Sequence, residues 1–384
     1  MMQRYCARLT AATALIVVSA TRHRRVSKRS AIHQRRRVIR WTALSLVHPT
    51  AGAMVKVTAL GCACIGAMVA VAQTASAEPT VTLAFVGDIM LDETPGAEIA
   101  RGRDPFAPFA AILNSADIRI GNLECVVATS GEAEPGKPYT FRAHPRTLAP
   151  LKQHLDAVTL ANNHSGDFGP SAFGEMLALL EQQGIGYFGG GATLAQAHRP
   201  LVIERHGLRI ALLGYNEFLP RSFEADYDQP GVAWSEDAQV QYDIARARDQ
   251  YHADLVIPVM HWGWEHEITA SSRQRQLARL MIDAGADAVV GGHPHVIQDT
   301  EQYRDRPIIY SLGNFIFNGF SETINNTGWL LRLEVDRQGV RRWRTFVARL
   351  DGLGIPHPAP ASDGICWERG QAGAAPCKND QPTE

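Results

Sequence analysis

The sequence predicts an α/β fold from two observations. Short, nearly continuous apolar segments, typical of strands covered on both faces, alternate along the chain with segments of helical periodicity. Strand after strand then ends in a cluster of Asp, Asn, Glu or His. Because ligands of α/β folds bind beyond the carboxyl ends of the strands, these clusters predict a functional site at one edge of a sheet.

The elements follow one another in a regular order. Strands are predicted at residues 81–86, 118–120, 157–160, 208–213, 255–260, 288–290 and 308–312, and residues 329–335 and 343–350 predict a closing hairpin. Helices are predicted at residues 171–183, 238–251 and 271–283, the first closed by Gly184. From Gly352 onward the composition is rich in Pro, Gly and Ala and predicts a loose tail, residues 352–384. The folded domain is therefore expected at residues 78–351.

The charge is distributed unevenly. No Asp or Glu precedes Glu78, whereas 12 of the 38 Lys and Arg residues do, so the chain from Glu78 onward has 26 basic against 39 acidic residues. Such an acidic body argues against nucleic acid as a partner, since nucleic-acid binding relies on Lys and Arg at phosphates. It also argues against a simple electrostatic grip on a polyanion. We expect any anionic substrate to be held locally, through metal ions.

The start of the chain predicts export. Residues 54–77 have the order of a signal peptide: a short basic start at Lys56, an apolar run, and Ala75-Ser76-Ala77 as a small-residue cleavage site. The protein is then expected in the periplasm or outside the cell. A membrane anchor formed by an uncleaved leader is the alternative, although the run falls short of the roughly 20 apolar residues of a spanning helix.

Residues 1–53 have three interpretations. They are rich in Arg and free of acidic residues, and we expect translation to start at Met54, with the preceding residues a gene-start artefact. A long leader with Arg36-Arg37 as a loose twin-arginine signal is a second interpretation. A lipoprotein site at Cys62 is the third, disfavoured because apolar sequence continues beyond it.

The cysteines are consistent with export. Cys366 and Cys377 are near enough in sequence to close a small disulfide loop, which an oxidising compartment permits. Cys125 lies inside an apolar run and is expected to be a buried thiol.

The polar clusters at the strand ends offer ligands for a divalent metal such as Mn, Fe or Zn. They comprise Asp88, then Asn122 with Glu124, then Asn162, Asn163 and His164, then His261, and finally His293 with His295. Side chains two apart in a strand share a face, so the paired residues are expected to point the same way. Singly, each has an ordinary explanation, such as a hydrogen-bonded His or a capping Asp. Their recurrence at the same end of successive elements predicts a metal site.

These motifs resemble a known family. The stretches are Gly87-Asp88-Ile89-Met90-Leu91, Asn122-Leu123-Glu124, Ala161-Asn162-Asn163-His164 with Asp167 and Gly169, His261-Trp262-Gly263 with Glu265, Asp283-Ala284-Gly285-Ala286-Asp287, Gly292-His293-Pro294-His295, and Ser311-Leu312-Gly313-Asn314-Phe315. In this order they resemble the CapA family of poly-gamma-glutamate capsule proteins, within the calcineurin-like metallophosphoesterase superfamily. The resemblance covers nearly all of residues 81–317. It implies a four-layer sandwich with two central mixed β-sheets flanked by helices.

The resemblance also implies roles for individual residues. Asp88 and His295 would bind a first metal ion, and Asn163, His261 and His293 a second. His164 would protonate the leaving group, or else orient its neighbours. The remaining motif residues would contact ligands or substrate: Asn122, Asn162, Asp167, Glu265 and Asn314.

Two positions depart from the superfamily pattern. Met90 stands where a metal-binding His is usual, and Asn122 stands where a carboxylate usually bridges the two ions. An uncharged amide is a poor bridge, so we expect Glu124 to supply the missing carboxylate. Both departures put the first ion site in question more than the second.

The resemblance implies a role in the synthesis, export or attachment of poly-gamma-glutamate, with one or two divalent ions assisting hydrolysis. The substrate would be a phosphoester or an amide of an anionic glutamate polymer, and capsule-synthesis membrane proteins would be partners. Two alternatives stay open: a noncatalytic, metal-containing scaffold of a capsule export machine, and a free-standing periplasmic phosphoesterase.

Overall fold

Strands and helices alternate along the chain as the sequence predicts, and most strands join one of two sheets. The computed structural model describes residues 78–221 and 223–377. The leader interpretations, which fall on residues 1–77, lie outside the described residues.

The first ten strands of the described residues are β1 (Val81–Ile89), β2 (Ile118–Leu123), β3 (Val126–Val127), β4 (Arg142–Ala143), β5 (Ala157–Thr159), β6 (Gly186–Phe188), β7 (Gly190–Gly191), β8 (Leu201–Arg205), β9 (Leu208–Asn216) and β10 (Gly231–Val232). The following ten are β11 (Leu255–His261), β12 (Val289–Gly292), β13 (Thr300–Tyr303), β14 (Arg306–Ile309), β15 (Asn314–Ile316), β16 (Thr327–Asp336), β17 (Gly339–Leu350), β18 (Pro356–Pro358), β19 (Ile365–Glu368) and β20 (Ala375–Pro376).

The α-helices of the described residues are α1 (Glu93–Ala100), α2 (Ala110–Leu113), α3 (Leu148–His154), α4 (Gly169–Gln183), α5 (Leu194–Ala197), α6 (Asp237–Asp249) and α7 (Ser272–Asp283). Short 3₁₀ helices lie at Ala107–Phe109, Pro145–Thr147 and Ala361–Asp363. Among the residues that the structure describes, no helix is both long and apolar enough to cross a membrane.

Local sequence explains where the two best-defined helices begin and end. Ser271 caps α7 by accepting a hydrogen bond from the backbone N–H of Gln274, whose side chain bonds back to Ser271. Helix α4 ends at Gly184, which adopts a left-handed conformation with φ of 63°. A residue with a Cβ is strained in that conformation, so glycine is the favoured terminator.

Both sheets are mixed. The large sheet has the strand order β20-β19-β17-β16-β1-β2-β5-β6, with β15 beside β1 and β18 beside β17. Its β1, β2, β5 and β6 are parallel, while β16 and β17 form the predicted antiparallel hairpin. The small sheet has the order β13-β14-β12-β11-β9-β8 and is parallel from β9 through β14.

Three apolar cores separate four layers. Along β1, Leu83 and Phe85 enter a core shared with β9 and β11 of the small sheet, whereas Ala84 and Val86 enter a core shared with α3 and α4. A third core lies between the small sheet and helices α6 and α7. This helix–sheet–sheet–helix arrangement is the predicted four-layer sandwich. Because side chains alternate across each strand, a single apolar strand contributes to two cores at once.

The prediction of a loose tail from Gly352 is wrong. Strands β18 and β19 both pair with β17, and Trp367 of β19 is buried in the core between the sheets. Cys366 and Cys377 form the expected disulfide. The composition was misleading because Pro and Gly are tolerated at sheet edges, and because short strands held by a covalent link need little local propensity. The other cysteine expectation is confirmed, since Cys125 is a buried free thiol.

Candidate metal centre

The carboxyl ends of strands from both sheets meet at one place. In the large sheet Asp88 lies in register with Asn122 of β2 and with Asn314 of β15. In the small sheet His261, the last residue of β11, lies in register with Gly292, which immediately precedes His293. The sandwich therefore brings together side chains that are more than 200 positions apart in the sequence.

Five predicted residues form two overlapping sets of possible ligands. One set is Glu124, His261 and His293, and the other is Asp88, Glu124 and His295; within each set the ligand atoms lie within 4.8 Å of one another. Glu124 belongs to both sets. Its Oε1 lies 3.4 Å from Nε2 of His261 and 3.8 Å from Nε2 of His295. The carboxylate that the resemblance requires between two ions is therefore available at Glu124 and not at Asn122.

Asn163 adds a fourth possible ligand to the set of Glu124, His261 and His293. Its Oδ1 lies 2.6 Å from Nε2 of His261, and Nδ1 of His293 lies 3.0 Å from the same nitrogen. An amide oxygen, a carboxylate and two imidazoles thus surround one point, which is a donor set suited to Mn, Fe or Zn.

Unpaired polar atoms at this point fit a cation. Both carboxylate oxygens of Glu124 and Nε2 of His293 are buried without a hydrogen-bond partner among the described residues. An unpaired buried polar atom costs about 1–3 kcal/mol, and more when it is charged. A divalent ion would satisfy the carboxylate of Glu124, so the residues present fit the metal that the resemblance implies.

Burial shifts the pKa values of these groups. It raises the pKa of Glu124 well above its usual range, and the neighbouring Asp88 carboxylate raises it further. Burial also raises the pKa of Asp88. It lowers the pKa of His261 and of His293 well below the usual range, with the other imidazoles adding to the effect. The low pKa of each imidazole favours the neutral form, which keeps a lone pair for a metal, and a cation would favour the ionised form of the carboxyl groups.

Neighbouring side chains orient the possible ligands. Nδ1 of His295 donates to Oδ1 of Asn314 at 2.8 Å, which leaves its Nε2 facing Glu124. Asn122 donates from Nδ2 to Oδ1 of Asp88 at 2.8 Å and accepts at Oδ1 from Nδ2 of Asn162 at 2.9 Å. Three amides, those of Asn122, Asn162 and Asn314, thus hydrogen-bond to the possible ligands or to one another.

The backbone at this point is strained. The loop after β12 places His293 at a φ of 96° and His295 at a φ of 55°, both in the left-handed region that favours glycine. The backbone N–H of His293 donates to Oδ2 of Asp88 at 3.1 Å. Such conformations cost about 1–3 kcal/mol each and are common at functional sites. The strain turns both imidazoles toward the same carboxylates.

His164 lies beside the centre and is held by Asp167. Nδ1 of His164 is 2.8 Å from Oδ2 of Asp167, a fully buried carboxylate that also accepts from the backbone N–H of Phe141 at 2.7 Å. Burial lowers the pKa of His164, and the Asp167 contact opposes that shift. A proton on Nδ1 is directed to Asp167 by this contact, which leaves Nε2 without that partner.

Sequence reasoning missed Lys137. Its ammonium group contacts Oδ1 of Asp167 and the backbone carbonyl of Asn163, joining the two residues that flank His164. Nothing in the local sequence indicates this contact, because Lys137 lies in a loop with no strand end beside it. Only the packing of that loop across the centre shows it.

Aromatic rings line the mouth of the centre and were also missed. The ring of Phe218 lies 4.0 Å from that of His293, and Phe317 and Phe320 lie 4.8 and 5.2 Å from His295. A usable signal existed for Phe218, since it follows the carboxyl end of β9 at the same edge of the small sheet. Glu265, predicted at the site, is exposed on the loop after β11, and its charge adds to the rise in the pKa of Glu124.

Met90 does not join the cluster. Its side chain is fully buried in the core beneath α4, and its sulfur accepts a hydrogen bond from the backbone N–H of Asp92 at 3.2 Å. The position where a histidine is usual in the superfamily thus contributes apolar packing here.

Comparison with known proteins agrees with this arrangement. Residues 82–319, which include every residue of the centre, match the family model described as bacterial capsule synthesis protein PGA_cap. The chain belongs to this family. It is 30% identical over 272 residues to the PGA biosynthesis protein CapA of Bacillus subtilis, covering 69% of this chain and 70% of that protein.

Other relatives include the capsule biosynthesis protein CapA of Bacillus anthracis, 31% identical over 252 residues, covering 63% of this chain and 61% of that protein. Among solved structures, the NAD nucleotidase of Haemophilus influenzae aligns with a TM-score of 0.40 at 15% identity, covering 78% of this chain and 54% of that one.

Proposed function

We propose that this chain is an exported, metal-dependent hydrolase that acts on an anionic glutamate polymer during capsule synthesis. The observation that carries the proposal is Glu124. This buried carboxylate belongs to both ligand sets, and neither of its oxygens has a hydrogen-bond partner among the described residues. A purely structural glutamate at such a depth would be expected to be paired.

Two ion positions follow from the two sets. Glu124, Asn163, His261 and His293 would hold one ion, and Asp88, Glu124 and His295 would hold another. When bound, divalent ions supply Lewis acidity and favour the deprotonation of water near neutral pH. Because the chain from Glu78 onward is acidic, these ions would also give an anionic substrate its local attraction.

His164 supplies the general acid in this proposal. Asp167 fixes the Nδ1–H tautomer, so that Nε2 is the nitrogen from which the protonated ring donates to the leaving group. Lys137 offsets the charge of Asp167 and ties it to the backbone at Asn163. His164 is close enough to His261 to lower its pKa, which supports a general acid next to the proposed ions.

The names of the relatives support the substrate class. Two curated relatives are described as PGA or capsule biosynthesis proteins, and the matching family is described by capsule synthesis. Poly-gamma-glutamate offers amide bonds for hydrolysis and carboxylates for contact with the ions. Export follows from the signal-peptide pattern of residues 54–77, and N-terminal sequencing of the secreted protein should return Glu78 as the first residue.

The test is turnover by the metal-loaded protein. Purified protein from Glu78 onward is loaded with Mn, Fe or Zn and assayed on bis(p-nitrophenyl) phosphate and on poly-gamma-glutamate, the polymer being followed by size-exclusion chromatography. His164→Gln should lower kcat about 10²–10⁴-fold and leave the metal content unchanged. The matched control is His357→Gln, a half-exposed histidine on β18 outside the centre.

The outcomes separate the candidate functions. Cleavage of polymer that depends on metal and on His164 supports the proposal. Turnover of the phosphodiester alone indicates a free-standing phosphoesterase. Full metal content without turnover of either substrate indicates a scaffold and overturns the proposal.

A further inference from the structure

A groove of about 340 Å³ lies away from the metal centre, on the hairpin side of the large sheet. It is lined by strands β16, β17, β19 and β20 and by Gln371 between the last two. Arg332 of β16 lies in register with Ala84, four residues before Asp88 on β1, which at 3.3 Å per residue is about 13 Å along the strand. The groove is thus separate from the proposed ion sites.

Two arginines face each other in this groove. Arg332 and Arg344 are directly opposite in the β16–β17 register, so their side chains project from the same face. Neither makes a salt bridge or a side-chain hydrogen bond with a described residue, and Nε of Arg344 is buried without a partner. Like charges directly opposite in a sheet destabilise it unless an anion lies between them.

The rest of the groove neutralises this pair only in part. Arg342 adds a third guanidinium, itself paired with Glu334 at 2.7 Å, and Glu368 is the other carboxylate of the lining, so three guanidinium groups face two carboxylates. Burial lowers the pKa of Arg332, and Arg342 and Arg344 lower it further, while Glu334 and Asp117 oppose the shift. Elsewhere arginines find carboxylates readily, as Arg119 does at Asp156. Because the chain from Glu78 onward has more acidic than basic residues, a shortage of carboxylates does not explain why Arg332 and Arg344 lack a salt bridge.

The groove is also preformed. The disulfide joins Cys366 and Cys377, which are 11 positions apart, and the loop that it closes carries the outer wall of the groove. Trp367 anchors that wall in the core between the sheets and is 1% exposed. The guanidinium of Arg344 lies over the ring of Phe346 at 4.7 Å, which fixes its plane. A fixed guanidinium loses little freedom when it binds an oxyanion.

We propose that this groove binds carboxylate groups of an anionic polymer through Arg332 and Arg344. A guanidinium group donates two parallel hydrogen bonds to a carboxylate, and two such groups on neighbouring strands suit successive carboxylates along an extended chain. The identity of the polymer, a gamma-linked glutamate chain, rests on the proposed function. The groove then holds one part of the polymer while another part reaches the metal centre, and two linked contacts bind far more tightly than either alone.

The experiment measures binding without turnover. A synthetic gamma-linked glutamate oligomer is titrated by calorimetry into the protein from Glu78 onward, kept metal-free with a chelator. Arg332→Gln/Arg344→Gln should weaken binding at least about tenfold, because two charge-assisted contacts are lost. The matched control is Arg304→Gln/Arg349→Gln, which removes the same charge from exposed arginines outside the groove.

Each outcome bears on the groove alone. Oligomer binding that is lost in the groove variant, retained in the control and weakened by salt supports the proposal. Unchanged binding in the groove variant overturns it. Inorganic phosphate binding as tightly as the oligomer indicates a simple ion site and also overturns it. Oligomer binding that appears only after residues 378–384 are deleted makes the C-terminus the occupant, which again overturns it.

The proposed hydrolase activity is judged separately. Phosphodiester turnover by the metal-loaded groove variant should equal that of the unaltered protein, since the small substrate does not need the groove. A protein that binds the oligomer in the groove but turns over nothing would retain this inference and lose the proposed function.

Discussion

Oε1 of Glu124 lies 3.4 Å from Nε2 of His261, although Glu124 follows a strand of the large sheet and His261 ends a strand of the small one. The contact joins the two halves of the sandwich through a carboxylate that has no hydrogen-bond partner among the described residues. A group in this position has two possible fates: it takes up a proton, or it binds a cation. The first predictions distinguish these fates.

Replacing Glu124 should remove both ions. Glu124→Gln keeps the size of the side chain but removes the charge shared by both ligand sets, so metal content should fall close to zero. Asn122→Ala should keep most of the metal, because Asn122 holds Asp88 and Asn162 by hydrogen bonds and is not a ligand. Elemental analysis of the purified variants gives the answer. Equal loss of metal in both variants would show that metal binding depends on Asn122 as well as on Glu124.

The two ion positions should differ in strength. The set of Glu124, His261 and His293 gains Asn163 as a fourth ligand. The set of Asp88, Glu124 and His295 has only three, because Met90 is buried in the core and supplies no ligand. His293→Ala should therefore abolish tight binding, while Asp88→Asn should leave about one ion per chain, by the ligand count of each set. Competition with a chromogenic chelator measures both affinities. An Asp88→Asn protein without metal, beside a His293→Ala protein that retains one ion, would reverse the order.

Much of this arrangement could be predicted from the sequence because it depends on local patterns. Apolar runs ending in Asp, Asn or His placed the strands within a few residues, as at β11, predicted at 255–260 and observed at Leu255–His261. The carboxyl ends of parallel strands meet at one edge, so the clusters were expected to converge. A charge argument singled out Glu124 over Asn122 as the bridging carboxylate, and Glu124 is the residue that lies in both ligand sets.

What the sequence could not predict depends on contacts between distant residues. Lys137 meets Asp167 across 30 positions and shows no periodicity that would indicate the contact. The strand β19 is short, follows a Pro-rich stretch and is held by a disulfide, so its composition resembles that of coil. In both cases tertiary packing determines the structure, and local propensity is a weak guide.

The stabilisation of the protein by metal should increase with pH. Burial raises the pKa of Glu124, so in the metal-free protein its contribution to stability is complete at acid pH and is lost as the pH rises through the raised value. A bound ion takes the carboxylate form and releases that proton. The rise in Tm on adding Mn²⁺ should therefore be small in mildly acid solution and larger in mildly alkaline solution.

Scanning calorimetry with and without metal measures this difference. In Glu124→Gln the rise in Tm on adding metal should be close to zero at every pH, since the carboxylate shared by both ligand sets is gone. A metal effect that is constant with pH in the unaltered protein would mean that Glu124 stays ionised without metal, contrary to the effect of its burial.

Introducing the missing histidine should not repair the weaker site. Met90 is fully buried among apolar side chains, so Met90→His places an imidazole in that core rather than beside Asp88. Burial of an unpaired polar group costs about 1–3 kcal/mol, and we expect a loss of stability of that size with no gain in bound metal. Met90→Leu, which keeps the apolar volume, is the control and should cost less than about 1.5 kcal/mol. A Met90→His protein with higher metal content would show that this side chain can reach the centre.

The C-terminal strands should be required for stability but not for metal binding. Trp367 is 1% exposed in the core between the sheets, and its replacement by Ala should lower the free energy of unfolding by about 3–5 kcal/mol. Trp264→Ala is the control for the loss of a tryptophan, because Trp264 is 65% exposed and its replacement should change stability by no more than about 0.5 kcal/mol.

Metal content should be the same in both variants, since β19 is separated from β1 by β17 and β16 in the large sheet. Urea unfolding and elemental analysis on the same samples test the two halves of this prediction. Equal unfolding midpoints for the two variants would contradict the packing of β19, and loss of metal in Trp367→Ala would show that the C-terminal strands support the centre through β16 and β1.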